Sequence, residues 1–261
     1  MPHNLLIIHH LTVTAPHLDG EDVLVDDISL EVAPDRVCAL VGASGSGKTT
    51  TGLAIMRLLD PALKVTQGEI CFEGENLLRA TAQRMREVRG GGVGMIFQEP
   101  LSAFNPVFTL GFQVEEVLRY HTDLRRKDRK KRVLELFDMV GLPDPSRVAR
   151  SYPHQLSGGM RQRVMIAQAI AAEPRLIIAD EPTSSLDVTL QARIMELFRR
   201  LKRELSLSFL LITHDFGMVR HLADDILVMR DGGIVERGEL ATVLADPQHG
   251  YTQQLIEASE G

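Results

Sequence analysis

The sequence predicts an α/β protein with a mainly parallel sheet, and two observations lead to this fold class. Short apolar runs bounded by turn residues alternate along most of the chain with segments whose apolar residues recur at helical spacing. Between residues 99 and 165 the pattern changes to helical spacing alone. Because alternating strands and helices form parallel sheets with loops at the carboxyl ends of the strands, we expect such a core with an inserted helical subdomain.

Each predicted element rests on its own local pattern. Apolar runs between turn residues predict strands at 5–13, 28–32, 37–41, 68–72, 94–97, 176–179, 209–212 and 226–229. Helical spacing predicts helices at 49–59, 114–119, 130–140 and 188–205, and a further helical run begins after Met160. Asp60-Pro61 is the expected stop of the first helix, and Gly141-Leu142-Pro143 ends the third, because proline cannot continue a helix.

The overall composition narrows the function classes. The 261 residues are 44% hydrophobic and 25% charged, with a formal net charge of -6, which argues against a generally basic nucleic-acid coat. No apolar run approaches the roughly 18 to 20 residues that span a bilayer, and the first residues lack a signal-peptide pattern. The two cysteines form no CxxC pair, so we expect a protein of the reducing cytoplasm.

A glycine-rich loop lies between a predicted strand and a predicted helix. Residues 42–49 read GASGSGKT and match the pattern G-x-x-x-x-G-K-[ST] of a nucleotide phosphate loop. Glycines let backbone N–H groups turn toward an anion, and the helix N-terminus adds its positive end. We expect Lys48 to neutralise the β- and γ-phosphates and the Thr49 hydroxyl to bind Mg²⁺. The nucleotide contacts that this loop predicts are Gly42, Ser44, Gly45, Ser46, Gly47, Lys48, Thr49 and Thr50.

Two adjacent acids, Asp180 and Glu181, directly follow the apolar run at 176–179. A parallel strand delivers its last residue to the loop edge of the sheet, where Asp180 is placed to hold Mg²⁺ directly or through water. Glu181 then faces the γ-phosphate side, where a carboxylate can orient and partly deprotonate an attacking water. His214 follows the predicted strand at 209–212 and is expected to contact the γ-phosphate.

A second loop precedes a helical run and offers a second anion-binding helix end. Ser157, Gly158 and Gly159 supply a hydroxyl and a flexible approach to this helix. One molecule rarely brings two such helix ends onto one nucleotide. We therefore expect a head-to-tail dimer with ATP sandwiched between the protomers.

Together, these motifs resemble the ATP-binding cassette of ABC transporters over essentially the whole chain. The resemblance implies a P-loop NTPase core of the RecA-like type, at 1–98 and 166–261, with an N-terminal antiparallel β subdomain. It also implies a helical signature subdomain at 99–165, all within one domain of residues 1–261. Gln98 resembles the Q-loop glutamine, near Mg²⁺ and water. Ser184-Ser185-Leu186-Asp187 resembles the D-loop, so Asp187 joins the nucleotide contacts, and His214 resembles the switch histidine.

The sequence around residues 97–106 and 152–163 resembles the dipeptide, oligopeptide and nickel importer family more closely. The resemblance implies an ATPase on the cytoplasmic face of the inner membrane, acting with permease subunits, a second ATP-binding subunit and a substrate-binding protein outside the membrane. Peptide-type members usually continue past a segment like 249–252 into a cysteine-bearing tail, and only ten residues follow Tyr251. We therefore expect a nickel or metal-chelate importer subunit, with a shortened peptide-type subunit as the alternative.

Three features leave other interpretations open. Seven of the eight residues at 125–132 are basic, which fits a solvated helix face or a contact with nucleic acid or anionic lipid. A soluble ABC ATPase acting on nucleic acid is therefore the alternative function. A kinase or GTPase would share the phosphate loop but has no use for the segment at 156–160. Members of the resembled family often stack adenine on an aromatic residue just after the first strand, but residues 12–20 contain none, and His17 is the only ring there. Met160 stands in place of the usual glutamine, which is ordinary in the resembled subfamily.

Overall fold

The computed structural model describes residues 4–17, 20–184 and 186–259. Its contacts divide the chain into two compact units. The first comprises Met1–Met85 and Ser206–Gly261, and the second comprises Arg86–Leu205. The second unit therefore contains more than the helical insertion expected at 99–165, because two strands fold with those helices.

Strands and helices alternate along much of the chain. The strands are β1 (Leu6–His17), β2 (Gly20–Val32), β3 (Val37–Val41), β4 (Lys64–Phe72), β5 (Glu75–Asn76), β6 (Val93–Ile96), β7 (Leu176–Asp180), β8 (Ser208–Thr213), β9 (Asp225–Arg230) and β10 (Gly233–Glu239). The helices are α1 (Lys48–Ile55), α2 (Ala82–Glu87), α3 (Pro100–Ala103), α4 (Leu110–His121), α5 (Arg126–Met139), α6 (Pro145–Arg150), α7 (Gly158–Ile170), α8 (Val188–Leu205), α9 (Phe216–Leu222), α10 (Leu240–Ala245) and α11 (Gly250–Ala258). A π-helical turn at Val88–Gly92 precedes β6, and a 3₁₀ turn at Pro153–Gln155 precedes α7.

The first unit contains an antiparallel sheet with the strand order β2-β1-β4-β5. Strand β1 buries Leu6, Ile8, Leu11 and Val13 completely, and irregular steps in the register at its middle keep these apolar side chains on the covered face. This sheet is the N-terminal antiparallel subdomain that the sequence predicted.

The first unit also contains four strands in the order β10-β9-β3-β8, with β3 parallel to both β8 and β9. All five residues of β3 are buried, as expected for a central strand covered on both faces. Strand β10 returns antiparallel to β9 through Asp231 and Gly232, which both have positive φ and form the tight turn that an Asp-Gly pair favours.

In the second unit, β6 and β7 pair in parallel and the remaining elements are helical. Gly94 of β6 lets the strand approach α7 closely, because an added Cβ would lie 2.4 Å from the Ala169 carbonyl oxygen. Gly111 does the same between α4 and α6, where a Cβ would lie 2.6 Å from the Ala149 carbonyl oxygen. These contacts explain why small residues occur at both positions.

The bounds of strand 37–41 and helix 188–205 agree with the sequence prediction. The predicted end of the first helix at residue 59 is wrong, because α1 ends at Ile55. Arg57 has a φ of 50°, and its N–H donates to the Ala54 carbonyl while the Leu58 N–H donates to the Leu53 carbonyl. This pair of bonds is a Schellman ending, and it escaped prediction because arginine occupies the left-handed position that glycine usually marks.

The basic run at 125–132 lies in the first half of α5 and is partly structural. Arg129 pairs with Glu115 at 3.6 Å, with both side chains less than one-fifth exposed, and it also donates to the Leu124 carbonyl at 2.7 Å. Arg132 pairs with Glu173 at 2.9 Å. Other cations of the run are exposed, so the helix presents a solvated basic face with two anchored arginines.

Candidate functional site

The phosphate loop joins the buried strand β3 to α1. Gly47 is the N-cap of α1 in a left-handed conformation, with φ 100° and ψ 0°, and Lys48 is the first residue of the helix. The Lys48 ammonium is buried and donates to the carbonyl oxygens of Gly42 at 2.9 Å and Ala43 at 2.8 Å. It also lies 3.4 Å from the Ser46 hydroxyl, so the loop wraps around one positive charge.

Two glycines of this loop are required for space. At Gly42 an added Cβ would lie 2.1 Å from the Met229 carbonyl oxygen, and at Gly47 it would lie 2.5 Å from the Leu24 carbonyl oxygen. The turn between β9 and β10 also holds the loop, because the Gly232 N–H donates to the Ser46 carbonyl at 3.2 Å. The loop is therefore fitted against β2 and β9 with no room for side chains at these positions.

Strand pairing brings the residue expected to contact the γ-phosphate to the same edge as the loop. In the parallel pair of β3 and β8, Val41 is opposite Thr213, so Gly42 and His214 both follow directly on neighbouring strand ends. His214 is exposed, and the next residue, Asp215, caps α9 by accepting from the Met218 N–H at 3.2 Å. The first unit thus gathers the loop and His214 as the sequence predicted for parallel strands.

The second unit gathers three further predicted residues at one edge. In the parallel pair of β6 and β7, Ile96 is opposite Ala179. Gln98 therefore follows the carboxyl end of β6, while Asp180 and Glu181 lie at the carboxyl end of β7. Asp180 and Glu181 are buried and each makes interactions, whereas Gln98 is exposed. The exposed Gln98 amide therefore lies just beyond β6, and the buried carboxylates of Asp180 and Glu181 lie at the end of β7.

Glu181 has a left-handed backbone, with φ 45°. This conformation costs a non-glycine residue roughly 1–2 kcal/mol. Ser184 stabilises it, because both its N–H, at 3.3 Å, and its hydroxyl, at 3.1 Å, donate to the Glu181 carbonyl. The chain therefore turns sharply after β7 at the residue predicted to be the catalytic base.

The predicted signature residues begin α7. Ser157 is the exposed N-cap and accepts weakly from the Met160 N–H at 3.4 Å, as Ser and Thr do at helix starts. Gly159 is buried against α8, where an added Cβ would lie 3.0 Å from Leu190 Cδ1. Ser157 is thus exposed at the start of the helix, whereas Gly159 is needed for packing within the unit.

Asp187 of the predicted D-loop begins α8. Its Oδ1 accepts from the Leu190 N–H at 2.9 Å, which makes it an N-cap, and the residue is exposed. Ser185 of the same segment lies outside the described residues, as do Leu18 and Asp19 of the stretch searched for an adenine-stacking ring. His17 ends β1 and is exposed.

The predicted magnesium ligands fit the preference of that ion. Thr49, Gln98 and Asp180 offer hydroxyl, amide and carboxylate oxygens, the hard donors that Mg²⁺ takes. Among the described residues, no group of three or more His, Cys, Asp or Glu side chains could hold a metal by itself. Mg²⁺ usually keeps few protein ligands and binds substrate phosphates as well.

Comparison with known proteins decides the family. The family model described as ABC transporter matches residues 25–184. The chain belongs to the ABC transporter family. It is 48% identical over 234 residues to the dipeptide transport ATP-binding protein DppD of Haemophilus influenzae, covering 90% of this chain and 71% of the relative. It is 43% identical over 253 residues to DppD of Bacillus subtilis, an alignment that covers 97% of this chain and 76% of the relative.

A solved structure extends the likeness to the fold. The dimeric post-hydrolysis state of the ATP-binding cassette MJ0796, bound to ADP and phosphate, has a TM-score of 0.81 and 29% identity, covering 90% of this chain and 98% of that one. The chain is an ABC ATPase that hydrolyses ATP with Mg²⁺ as its partner ion, so the predicted fold class, activity and cofactors are confirmed. None of the helices in the described ranges has the length and apolar character needed to cross a membrane.

Sequence reasoning missed two groups beside the phosphate loop. The Tyr251 hydroxyl accepts from the Ala43 N–H at 2.9 Å, and Gly232 holds the Ser46 carbonyl. The Asp-Gly pair at 231–232 was a recognisable hairpin signal. No local pattern marks the contact of Tyr251, because 208 residues separate it from its partner.

Proposed function

We propose that this ABC ATPase powers a bacterial importer of peptides, coupling ATP binding and hydrolysis to uptake. The observation that carries the proposal is the identity of 48% and 43% to two dipeptide transport ATP-binding proteins over most of the chain. The whole of residues 1–261 acts in this proposal as one ATP-binding domain.

Nucleotide binding is assigned to the phosphate loop and its flanking helix. Lys48, which the loop carbonyls already orient, carries the positive charge toward the β- and γ-phosphates. Thr49, Gln98 and Asp180 supply oxygen ligands for Mg²⁺, which when bound neutralises charge that develops on the phosphate oxygens. Ser44, Gly45, Ser46 and Thr50 complete the contacts through the loop and the first turn of α1.

Hydrolysis is assigned to Glu181, with His214 and Gln98 in support. A carboxylate directly after a buried strand can orient a water and take its proton. The chain turns sharply at Glu181, whose carbonyl accepts from the Ser184 N–H and hydroxyl, and this turn follows directly on the buried strand β7. His214 would hold the γ-phosphate and Gln98 would lie near the water.

A head-to-tail dimer completes the proposal. Ser157, Gly158 and Gly159 begin a helix with an exposed N-cap hydroxyl, which suits contact with the γ-phosphate bound to a second ATP-binding subunit. Asp187 is likewise exposed at the start of α8. The proposed further partners are transmembrane permease subunits and a substrate-binding protein, and the proposed location is the cytoplasmic face of the inner membrane.

Peptides replace nickel as the proposed cargo. The nickel prediction rested on the few residues that follow Tyr251, and both DppD relatives carry dipeptide transport in their names. The nucleic-acid alternative rested on the basic run, in which Arg129 and Arg132 form ion pairs within the second unit. A peptide importer is therefore the better supported function.

The test is uptake by a strain that lacks this gene. Labelled dipeptide, a longer labelled peptide and labelled nickel are supplied to cells rescued with wild type, Glu181→Gln or Glu173→Gln. Glu173 is a matched control because it is also a glutamate with a left-handed backbone, with φ 55°, and its side chain is 70% exposed.

We expect peptide uptake to be restored by wild type and by Glu173→Gln but not by Glu181→Gln, with nickel uptake unchanged throughout. Nickel uptake that depends on the gene, with peptide uptake unaffected, would reverse the cargo. Restoration by Glu181→Gln at the wild-type rate would overturn the catalytic assignment.

A further inference from the structure

The C-terminal helix contacts the phosphate loop through one side chain. Tyr251, in the first turn of α11, accepts a hydrogen bond from the Ala43 N–H at 2.9 Å. Ala43 is the second residue of the loop and precedes the stretch that leads into α1. An element at the far end of the sequence therefore contributes a bond to the nucleotide site within the first unit.

This bond acts on a peptide group that also holds Lys48. The peptide joining Gly42 and Ala43 presents its N–H to Tyr251 and its carbonyl to the Lys48 ammonium, at 2.9 Å each. Because a peptide group is planar, fixing the direction of its N–H also fixes the direction of its carbonyl. The Tyr251 hydroxyl therefore orients one of the two carbonyls that hold the lysine.

Tyr251 is itself held on two sides. Its ring packs against the buried cluster that includes Val41, Val228 and Val243. The Arg230 guanidinium lies over the ring, 5.0 Å from its centroid, in a cation–π contact. The Tyr251 N–H donates to His249 Nδ1 at 3.1 Å, and His249 is thereby the N-cap of α11.

A carboxylate fixes the segment that leads into this helix. Glu236 of β10 accepts from the Gln248 N–H at 2.8 Å and from the His249 N–H at 3.0 Å. Burial raises the pKa of Glu236, but the hydrogen bonds donated to it outweigh this and leave its pKa below the ordinary value. The approach to α11 is thus tied to the strand next to β9.

We propose that Tyr251 is a positioning residue for ATP binding. It does not touch the nucleotide; its hydroxyl holds the 42–43 peptide in the orientation that directs Lys48 toward the phosphates. The inference rests on the role of this loop in ATP binding. It follows that displacement of α11 lowers ATP affinity without altering any nucleotide-binding residue.

The test removes one oxygen atom. Tyr251→Phe keeps the ring, its packing and its contact with Arg230, and deletes the hydroxyl alone. Tyr120→Phe is the matched control, because it deletes the same atom from a residue of α4 that is 76% exposed. ATP dissociation constants, kcat, KM and urea unfolding are measured on the purified chain.

We expect Tyr251→Phe to raise the Kd and the KM for ATP about 2- to 10-fold, the range for one lost hydrogen bond, while kcat stays near wild type. Tyr120→Phe should leave all of these unchanged. Amide hydrogen exchange gives a second readout, in which the Ala43 N–H exchanges faster in Tyr251→Phe than in wild type and at the wild-type rate in Tyr120→Phe.

An unchanged Kd in Tyr251→Phe, with wild type binding ATP normally, would overturn the inference and leave the ATPase function intact. A fall in kcat with no change in KM would overturn it as well, since that pattern belongs to a catalytic group. If wild type itself did not bind ATP, the function proposed for the loop would fail first.

Discussion

Replacing Gly47 by alanine tests whether the phosphate loop needs glycine for space as well as for backbone conformation. Gly47 has a φ of 100°, and an added Cβ would lie 2.5 Å from the Leu24 carbonyl oxygen and 2.7 Å from Met229 Cε. Gly45 also has a positive φ, of 81°, but its Cβ would meet nothing within 4 Å. The two glycines therefore share a conformation and differ in the room around them.

The expected magnitudes follow from this difference. A left-handed backbone costs a non-glycine residue roughly 1–2 kcal/mol, which is the whole loss of unfolding free energy expected for Gly45→Ala. Gly47→Ala adds the displacement of a backbone carbonyl, and overpacking typically costs about 1–3 kcal/mol. We therefore expect losses of about 1–2 kcal/mol for Gly45→Ala and about 2–5 kcal/mol for Gly47→Ala.

Urea unfolding of the purified variants measures these losses, and ATP binding is measured on the same samples. Gly47→Ala should also weaken ATP binding more than Gly45→Ala, because the clash moves the residue that begins α1. Equal losses of unfolding free energy in the two variants would refute the steric argument and leave backbone conformation as the only requirement.

Three further predictions concern other parts of the chain. The pKa of Glu236 in the folded chain lies below the ordinary 4.5, so the stability it contributes is complete above pH 4.5 and is lost as the pH falls through the folded value. The difference in unfolding free energy between wild type and Glu236→Gln should be constant above that pH and shrink below it. Asp187→Ala should cost about 1 kcal/mol by removing the N-cap of α8, whereas Asp187→Asn keeps an acceptor and should cost less, as measured by urea unfolding. Arg129→Met should cost about 1–3 kcal/mol by leaving Glu115 unpaired, while Lys127→Met on the exposed face should cost almost nothing; the reverse order would mean that the basic run has no structural part.

The sequence singled out the phosphate loop and the pair of acids because each is marked by local signals, and their roles in ATP binding and hydrolysis stay predictions. The loop at 42–49 combines glycine spacing with a preceding apolar strand, and the acids at 180–181 end another such strand. Parallel pairing then brings the ends of β3 and β8 together, and likewise the ends of β6 and β7, which is what these patterns imply. No structural detail was needed to single out these residues.

What escaped prediction depends on contacts distant in sequence or on unusual residues. Arg57 ends α1 in a conformation that glycine usually marks, so the helix was predicted too long. Tyr251 reaches Ala43 across 208 residues, and no periodicity carries that information. Glu181 has a left-handed backbone that residue type alone does not suggest, because stabilisation by Ser184 is visible only in three dimensions.

ATP binding and hydrolysis by wild type, Lys48→Ala and Glu181→Gln, measured side by side on the purified chain with Mg²⁺, test the central claim most directly. Lys48→Ala should lose both, because the loop loses the charge that faces the phosphates. Glu181→Gln should bind ATP as wild type does while its hydrolysis falls by about 100-fold or more. Hydrolysis near the wild-type rate in Glu181→Gln, or wild-type ATP affinity in Lys48→Ala, would contradict the roles proposed for these two residues.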